Sequence, residues 1–146
     1  MPEIRSILRT DVVTAGQRTS VAELASLMDD ENVGSVVITE QDRPVGIVTD
    51  RDIVTAVVSR GSDPTELTAM DVMTEEVVTV DADTGIFEVI RRMGEHDVRR
   101  MPALSTEGTL AGIVTLDDFV VLLGRELRTL GRVIEAESPP YEQSGR

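Results

Sequence analysis

An internal duplication is the sequence feature that most restricts the possible folds of this chain. Residues 12–41 align with residues 77–106 and, after a one-residue gap at Glu107, residues 42–56 align with residues 108–122. Thirteen of these 45 aligned positions are identical. Two copies are fewer than the roughly three repeats that a solenoid needs. The duplication therefore predicts two similar units packed about an approximate two-fold axis.

Each unit has the sequence pattern of a β-α-β-β-α motif, so the predicted fold class is α+β. Residues 12–14 form a short β-branched run, and residues 34–39 and 45–49 are two further strands joined by a polar turn. Ser20 opens a helix with Glu23 in capping-box spacing. The apolar face of this helix has i, i+3, i+4 and i+7 spacing in both units: Val21, Leu24, Ala25 and Met28, then Ile86, Val89, Ile90 and Met93. A second helix is predicted over residues 51–59.

The breaker-rich segment 60–64 marks the boundary between the units. A short helix is predicted over residues 65–73, with residues 4–8 as its counterpart before the first unit. We therefore divide the chain into repeat 1 (4–61), a linker with a lead-in helix (62–71), repeat 2 (72–136) and a disordered tail (137–146). The last helix carries a stripe that runs past repeat 2 and is expected to cover another surface of the fold or a second chain: Phe119, Leu123, Leu127, Leu130 and Ile134.

Composition excludes several classes of function. The 27 acidic and 14 basic residues give a net charge of −13, which argues against a general nucleic-acid binder. Cysteine is absent and His96 is the only histidine, so thiolate sites and multi-histidine metal centres are not supported. No apolar run approaches the roughly 20 residues of a membrane span, and the N-terminus lacks a signal-peptide core. We expect a cytoplasmic protein without a metal or a nucleic-acid or membrane partner.

Four segments resemble the signature of CBS domains, the cystathionine-β-synthase repeat. They are GIVTDRDI (46–53), GIVTLDDF (112–119), DVMT (71–74) and DVRRMP (97–102). The resemblance extends over about residues 4–132. A tandem pair of such repeats resembles the Bateman module, which binds adenine nucleotides or S-adenosylmethionine between the repeats and often regulates an attached enzyme or transporter. Because both repeats account for nearly all of this chain, a stand-alone regulatory protein is expected.

The resemblance implies a first ligand site that uses both repeats. Thr49 would hold a phosphate, Asp52 would accept hydrogen bonds from the ribose hydroxyls, and a basic pair from repeat 2 would reach the phosphate. The residues carried over to this site are Thr49, Arg51, Asp52, Arg99 and Arg100. Further expected ligand contacts, not assigned to one site, are Val78, Met101 and Pro102. Other roles remain open, because Thr-x-x-Asp also caps helices, the arginines could neutralise Glu95 and Asp97, and valines are commonly core residues.

A second site is implied around the equivalent motif of repeat 2. It would combine Thr115 and Asp118 with residues of repeat 1: Val13, Ser20, Gly34 and Ser35. Gly34-Ser35 stands where the other repeat has an arginine pair, so this site has less positive charge. We expect it to be empty or to take a less anionic ligand.

Three functional classes follow from these residues. The preferred one is a regulatory sensor that binds AMP, ADP, ATP or S-adenosylmethionine and has no catalytic cofactor or catalytic residue. The second is a structural dimerisation module whose motifs only cap helices. The third, an enzyme such as a nucleotide hydrolase, is the weakest, since no nucleophile–base pair, metal ligand set or Walker-type loop is visible. The resemblance also implies a homodimer and an unknown regulated enzyme or transporter as partner.

Overall fold

The computed structural model describes residues 3–137 and contains two copies of one β-α-β-β-α unit. Repeat 1 consists of β1 (Thr14–Ala15), α1 (Val21–Glu31), β2 (Ser35–Glu40), β3 (Arg43–Thr49) and α2 (Asp50–Ile53), which continues into a π-helical segment (Val54–Ser59). After α3 (Ala69–Val72), repeat 2 consists of β4 (Val80–Asp81), α4 (Ile86–His96), β5 (Arg100–Leu104), β6 (Leu110–Thr115) and α5 (Leu116–Glu137). A short 3-10 turn (Ile4–Ser6) precedes repeat 1. The predicted α+β class is confirmed.

The two sheets have the same topology. In each, a short first strand runs parallel to the middle strand, which pairs antiparallel with the third, in the orders β1-β2-β3 and β4-β5-β6. The register shifts after Ile38 in one sheet and after Ala103 in the other, which are aligned positions. Helices α1 and α4 both end at a residue in the left-handed conformation, Asn32 and Asp97. The duplication is therefore preserved down to single backbone irregularities.

The predicted apolar helix faces pack against the sheets, except for Ala25, which is exposed. Val21 and Leu24 are fully buried on α1, and Val89 is fully buried on α4. Each repeat has its own hydrophobic core, formed by these faces and by the middle and third strands. Burial of such side chains supplies the main driving force for folding each unit.

The segments that precede the two repeats are exchanged between them. We call residues 3–9 the first lead-in and residues 68–74 the second lead-in. Ile4 is fully buried in the core of repeat 2, and its N–H donates to Thr84 O at 2.9 Å. Ala69 is fully buried in the core of repeat 1. Backbone bridges join Arg9 to Ile113 and Ile47 to Thr74, so each lead-in completes the repeat that it does not precede in sequence.

The glycine of the repeated GIVT segment makes room for the exchanged lead-in. A Cβ atom added at Gly112 would lie 2.7 Å from the backbone oxygen of Arg9. At the aligned position, Gly46, a Cβ atom would collide with the side chain of Met73. Both contacts are with the lead-in that precedes the other repeat. A larger residue at Gly112 would press on backbone, whereas at Gly46 it would require the Met73 side chain to move.

Several helices differ from the predicted ones. The lead-in helix over residues 65–73 is only the four residues of α3, because Asp63 and Thr65 form a turn before it. In that turn the Thr65 hydroxyl donates to the carboxylate of Asp63 at 2.7 Å, which holds the pKa of Asp63 below its ordinary value. The second helix starts one residue earlier than predicted, at Asp50, and widens into the π-helical segment after Ile53.

Helix α5 is 22 residues long and ends at Glu137. Glu137 is the first residue of the predicted disordered tail, so the prediction is wrong at this residue. Residues 138–146, the rest of that prediction, lie outside the described residues. Phe119 is buried in the core of repeat 2 and does not belong to an exposed stripe. The other predicted stripe residues are exposed, together with Val120: Leu123, Leu127, Leu130 and Ile134. Among residues 3–137, no helix has both the length and the apolar character needed to cross a bilayer.

Candidate functional site

The two Thr-x-x-Asp motifs form the N-terminal caps of α2 and α5. Asp52 Oδ2 accepts from the Thr49 N–H at 2.8 Å, and the Asp52 N–H donates to Thr49 Oγ1 at 3.3 Å. In repeat 2, Asp118 Oδ2 accepts from the Thr115 N–H at 3.1 Å and from its hydroxyl at 3.0 Å. Both motifs therefore satisfy backbone groups that the start of a helix leaves without partners.

The second motif has an additional partner from the first lead-in. Arg9 donates to Asp118 Oδ1 from Nε at 3.1 Å and from Nη2 at 2.9 Å. This contact joins residues 109 positions apart in the sequence. It links the first lead-in to the start of α5.

A cleft of about 550 Å³ lies between the two repeats, at the start of α5. Its walls come from the first lead-in and the segment before β1, the segment from the end of α1 into β2, the start of β5, the third strand β6 and the start of α5: Arg9, Asp11, Val12, Val13, Glu31, Asn32, Val33, Gly34, Ser35, Val37, Arg99, Arg100, Ile113, Thr115, Leu116 and Asp117. This volume lies within the roughly 300–1,000 Å³ range of small-molecule sites. The cleft can accommodate a nucleoside-sized ligand that contacts both repeats at once.

Charges of both signs line the cleft. Three arginines, Arg9, Arg99 and Arg100, are balanced by Asp11, Glu31 and Asp117. Arg99 Nη2 lies 3.7 Å from Asp117 Oδ1, and both side chains are largely exposed, so this pair is weak and can be rearranged by a ligand.

Arg100 reaches across to repeat 1. A Cβ atom added at Gly34 would lie 3.5 Å from Arg100 Nη2 and 3.4 Å from Asp50 Oδ2. Asp50 follows Thr49, and its N–H donates to Gly34 O at 3.0 Å. In repeat 2 the matching bond runs from the Leu116 N–H to Arg99 O at 2.8 Å. The residues before β2 and β5 are thus tied to the helix starts, which positions Arg100 close to both motifs.

The structure distributes the predicted site residues over three kinds of location. Six of them line the cleft: Val13, Gly34, Ser35, Arg99, Arg100 and Thr115. The basic pair thus shares a cleft with Thr115, whereas the sequence analysis grouped it with Thr49. Five others lie at or next to helix starts outside the cleft lining: Ser20, Thr49, Arg51, Asp52 and Asp118. Met101 and Pro102 are fully buried and Val78 packs against the core of repeat 2.

Sequence reasoning missed Arg9, Asp11, Asn32 and Asp50. The left-handed conformation of Asn32 follows the rule that asparagine ends helices, so a helix-end signal could have found it. Nothing in the local sequence pattern pointed to Arg9, because its partner Asp118 lies 109 positions away in the sequence.

A family model for the CBS domain matches the chain twice, over residues 4–59 and 69–125. The chain belongs to the CBS domain family. The two matches correspond to the two repeats, and the exchanged lead-ins, the duplicated caps and the cleft between them are features of a CBS domain pair in this chain.

Curated relatives of this CBS protein come from archaea and bacteria. An uncharacterized protein of Methanopyrus kandleri is 39% identical over 118 residues, which are 80% of this chain and 60% of that protein. Hypoxic response protein 1 of Mycobacterium tuberculosis is 36% identical over 119 residues, which are 81% of this chain and 82% of that protein. The chain thus matches nearly the whole of the mycobacterial protein but a smaller part of the archaeal one.

Solved CBS structures share the fold. The crystal structure of Hypoxic Response Protein I, which has two coordinated zinc ions, matches with a TM-score of 0.73 and 34% identity, covering 82% of this chain and 97% of that one. The CBS domain pair of protein MJ0100, in complex with 5-methylthioadenosine and S-adenosyl-L-methionine, matches with a TM-score of 0.77 and 25% identity, covering 86% and 98%. Within residues 3–137 of this chain, no three histidine or acidic side chains are grouped to hold a metal ion.

Proposed function

We propose that this CBS pair is a regulatory module that binds an adenosyl ligand, an adenine nucleotide or S-adenosylmethionine, between its repeats. The observation that carries the proposal is the cleft of about 550 Å³, because residues of both repeats line it. The adenosyl ligands in the MJ0100 structure support this ligand class. The choice among AMP, ADP, ATP and S-adenosylmethionine and the cytoplasmic location stay predictions.

The cleft offers distinct contacts for each part of such a ligand. The purine would pack against apolar side chains such as Val13 and Val37, next to the backbone of Gly34. A phosphate would meet the Thr115 hydroxyl at the positive end of α5 and the guanidinium of Arg100. Arginine provides a planar fork that matches a phosphate group.

A second site of the same kind is proposed at the start of α2. Within the described residues, Asp52 Oδ2 accepts one hydrogen bond and Oδ1 accepts none, so this carboxylate is free to take vicinal ribose hydroxyls. Arg51 and Arg100 provide positive charge nearby. Arg100 is near this site because its guanidinium and the carboxylate of Asp50 both lie next to Gly34.

Ligand binding would regulate a partner by favouring one arrangement of the repeats. A ligand shifts such an equilibrium only by its differential affinity for the two states, and a cleft with walls from both repeats provides that difference. The exposed stripe on α5 is the proposed contact with a second copy of the chain. The regulated partner is proposed to be an enzyme or transporter, and the module itself is proposed to be non-catalytic.

A structural dimerisation module is the second candidate. The exposed apolar stripe on α5 favours it, because this stripe has no partner within the described part of the chain. This candidate predicts normal folding and self-association with no effect of any nucleotide. The two candidates therefore differ in a single measurable property.

The test is isothermal titration of the purified protein with AMP, ADP, ATP and S-adenosylmethionine. We expect micromolar binding of at least one ligand. Asp52→Ala should weaken adenine-nucleotide binding by about tenfold or more, since a hydrogen bond to a charged group contributes roughly 1.5–3 kcal/mol. Arg100→Ala should weaken AMP binding more than adenosine binding, because only AMP has a phosphate.

Each outcome decides between the candidates. No binding of any ligand by a folded protein would reject the sensor and favour the dimerisation module. Equal losses for AMP and adenosine in the Arg100 variant would reject Arg100 as a phosphate ligand. Product formation from ATP that is lost in the Asp52→Ala variant would show an enzyme instead.

A further inference from the structure

The carboxylate of Asp118 has no acceptor position left for a ligand. A carboxylate offers about four lone-pair positions, two on each oxygen. Two donors of Thr115 take those of Oδ2, at 3.1 and 3.0 Å. Two donors of Arg9 take those of Oδ1, at 3.1 and 2.9 Å. Arg9 lines the cleft and Asp118 does not, so the arginine stands at the cleft in place of the carboxylate.

The equivalent carboxylate of repeat 1, that of Asp52, has acceptor positions free because the second lead-in has Thr74 where the first has Arg9. Thr74 takes the position of Arg9 and forms the same backbone bridge, to Ile47 instead of Ile113. Its short side chain is not hydrogen-bonded to Asp52, which accepts only from the Thr49 N–H among the described residues. Two carboxylates with equal positions in the fold therefore differ in their availability to a ribose.

A ribose that binds Asp118 has to displace the guanidinium of Arg9. The displacement is feasible, because the Arg9 side chain is 64% exposed although Asp118 is only 13% exposed. The backbone bridge to Ile113 keeps the displaced arginine beside the cleft, with a 3.1 Å bond from its N–H to Ile113 O. A phosphate in the cleft gives this guanidinium a new partner, whereas a ligand without a phosphate leaves it without one.

We infer that Arg9 is a specificity-determining residue that makes the cleft at Thr115 select phosphorylated over unphosphorylated adenosyl ligands. This inference rests on the proposed function. It differs from the expectation that the site at Thr115 takes the less anionic ligand, because three arginines line the cleft once Arg9 is counted.

The test compares AMP and adenosine on Arg9→Thr and on the unchanged protein, by isothermal titration. Thr is the residue of the second lead-in at this position, so its side chain suits the backbone. Asp52→Ala is added to both proteins in a second series, which removes the carboxylate of the other site. We expect Arg9→Thr to tighten adenosine binding by about fivefold or more, since an exposed ion pair is worth up to about 1 kcal/mol and the carboxylate of this pair is only 13% exposed. The same relief applies to the ribose of AMP, so the ratio of AMP to adenosine affinity is the decisive quantity, and it should fall by about tenfold or more through the lost charged hydrogen bond.

Two further variants make the result specific. Arg5→Thr changes the charge of the same lead-in equally, but Arg5 contacts only Glu3, at 3.9 Å, among the described acidic residues. It should leave the ratio of AMP to adenosine affinity unchanged. Thr74→Arg places a guanidinium at the first motif, where it should weaken adenosine binding to a protein with Asp118→Ala.

The possible failures are distinguishable. An unchanged affinity ratio in Arg9→Thr, with AMP still bound, overturns the role of Arg9 and leaves the proposed function intact. The same change in Arg5→Thr would show an effect of net charge and also overturns it. No binding of AMP or adenosine to any of the proteins overturns this inference, and the proposed function falls with it only if ADP, ATP and S-adenosylmethionine also fail to bind the unchanged protein.

Discussion

At the scale of single residues, Gly112 shows that a repeated motif position can serve packing. We expect Gly112→Ala to lower the free energy of unfolding by about 1–3 kcal/mol, because the added methyl group meets the backbone oxygen of Arg9 at 2.7 Å. Urea denaturation would measure the change. Gly94→Ala is the matched control: Gly94 lies in α4 with nothing within 4 Å of an added Cβ atom, so alanine should be neutral or stabilising. Equal effects of the two substitutions would contradict this account.

The residue-scale features that could be predicted are local ones. Ser20 was predicted to cap α1, and its hydroxyl oxygen accepts from the Glu23 N–H at 3.1 Å. The capping alternative for Thr49 and Asp52 was visible because both partners lie within one helical turn. The contact of Arg9 with Asp118 could not be predicted, because the two residues are 109 positions apart and neither spacing nor periodicity indicates such a distant pair.

At the scale of elements, the exchange of the lead-ins makes the first lead-in part of the core of repeat 2. We expect Ile4→Ala to destabilise the protein by about 2–5 kcal/mol, the usual cost of such a truncation in a core. Hydrogen exchange would locate the effect. Protection should fall first in β5 and β6, against which the first lead-in packs, and less in β2 and β3.

A control for this prediction is Val58→Ala, since Val58 is 75% exposed and should contribute little to stability. A uniform loss of protection, or a loss confined to repeat 1, would show that the first lead-in does not stabilise repeat 2.

The order of strands and helices was predictable, whereas the partner of each lead-in was not. Strand alternation and the helical spacing on α1 and α4 follow directly from which side chains are apolar. The sequence analysis placed residues 4–8 before repeat 1, and nothing in their local pattern showed that Ile4 is buried in the core of repeat 2. The length of α3 was overestimated, because a turn built on the Asp63 side chain replaces its expected first residues.

At the scale of the whole molecule, α5 has an apolar surface that nothing within residues 3–137 covers. Five of its exposed apolar residues recur at spacings of three and four: Val120, Leu123, Leu127, Leu130 and Ile134. Such a repeat is typical of helices that pair along a seam. We expect a dimer in solution and expect Leu127→Glu to dissociate it, because Leu127 is 68% exposed near the middle of the stripe. Light scattering after size-exclusion chromatography would measure the mass.

Thr129→Glu adds the same charge to the same helix outside the stripe and should leave the dimer intact. A wild-type monomer at working concentration, or dissociation by both substitutions, would count against pairing through this surface.

The exchange of lead-ins also bears on how such a chain could have arisen. Cutting the polypeptide near Gly61 would separate each core from the segment that completes it, yet the two fragments would remain complementary. Their arrangement is that of a reciprocally swapped dimer whose two subunits have been joined by a linker. Fusion of two copies of one ancestral gene would therefore have needed no new contacts, since the joined polypeptide keeps those that separate copies could already form. Divergence after such a fusion would account for Arg9 in one lead-in and Thr74 at the aligned position of the other.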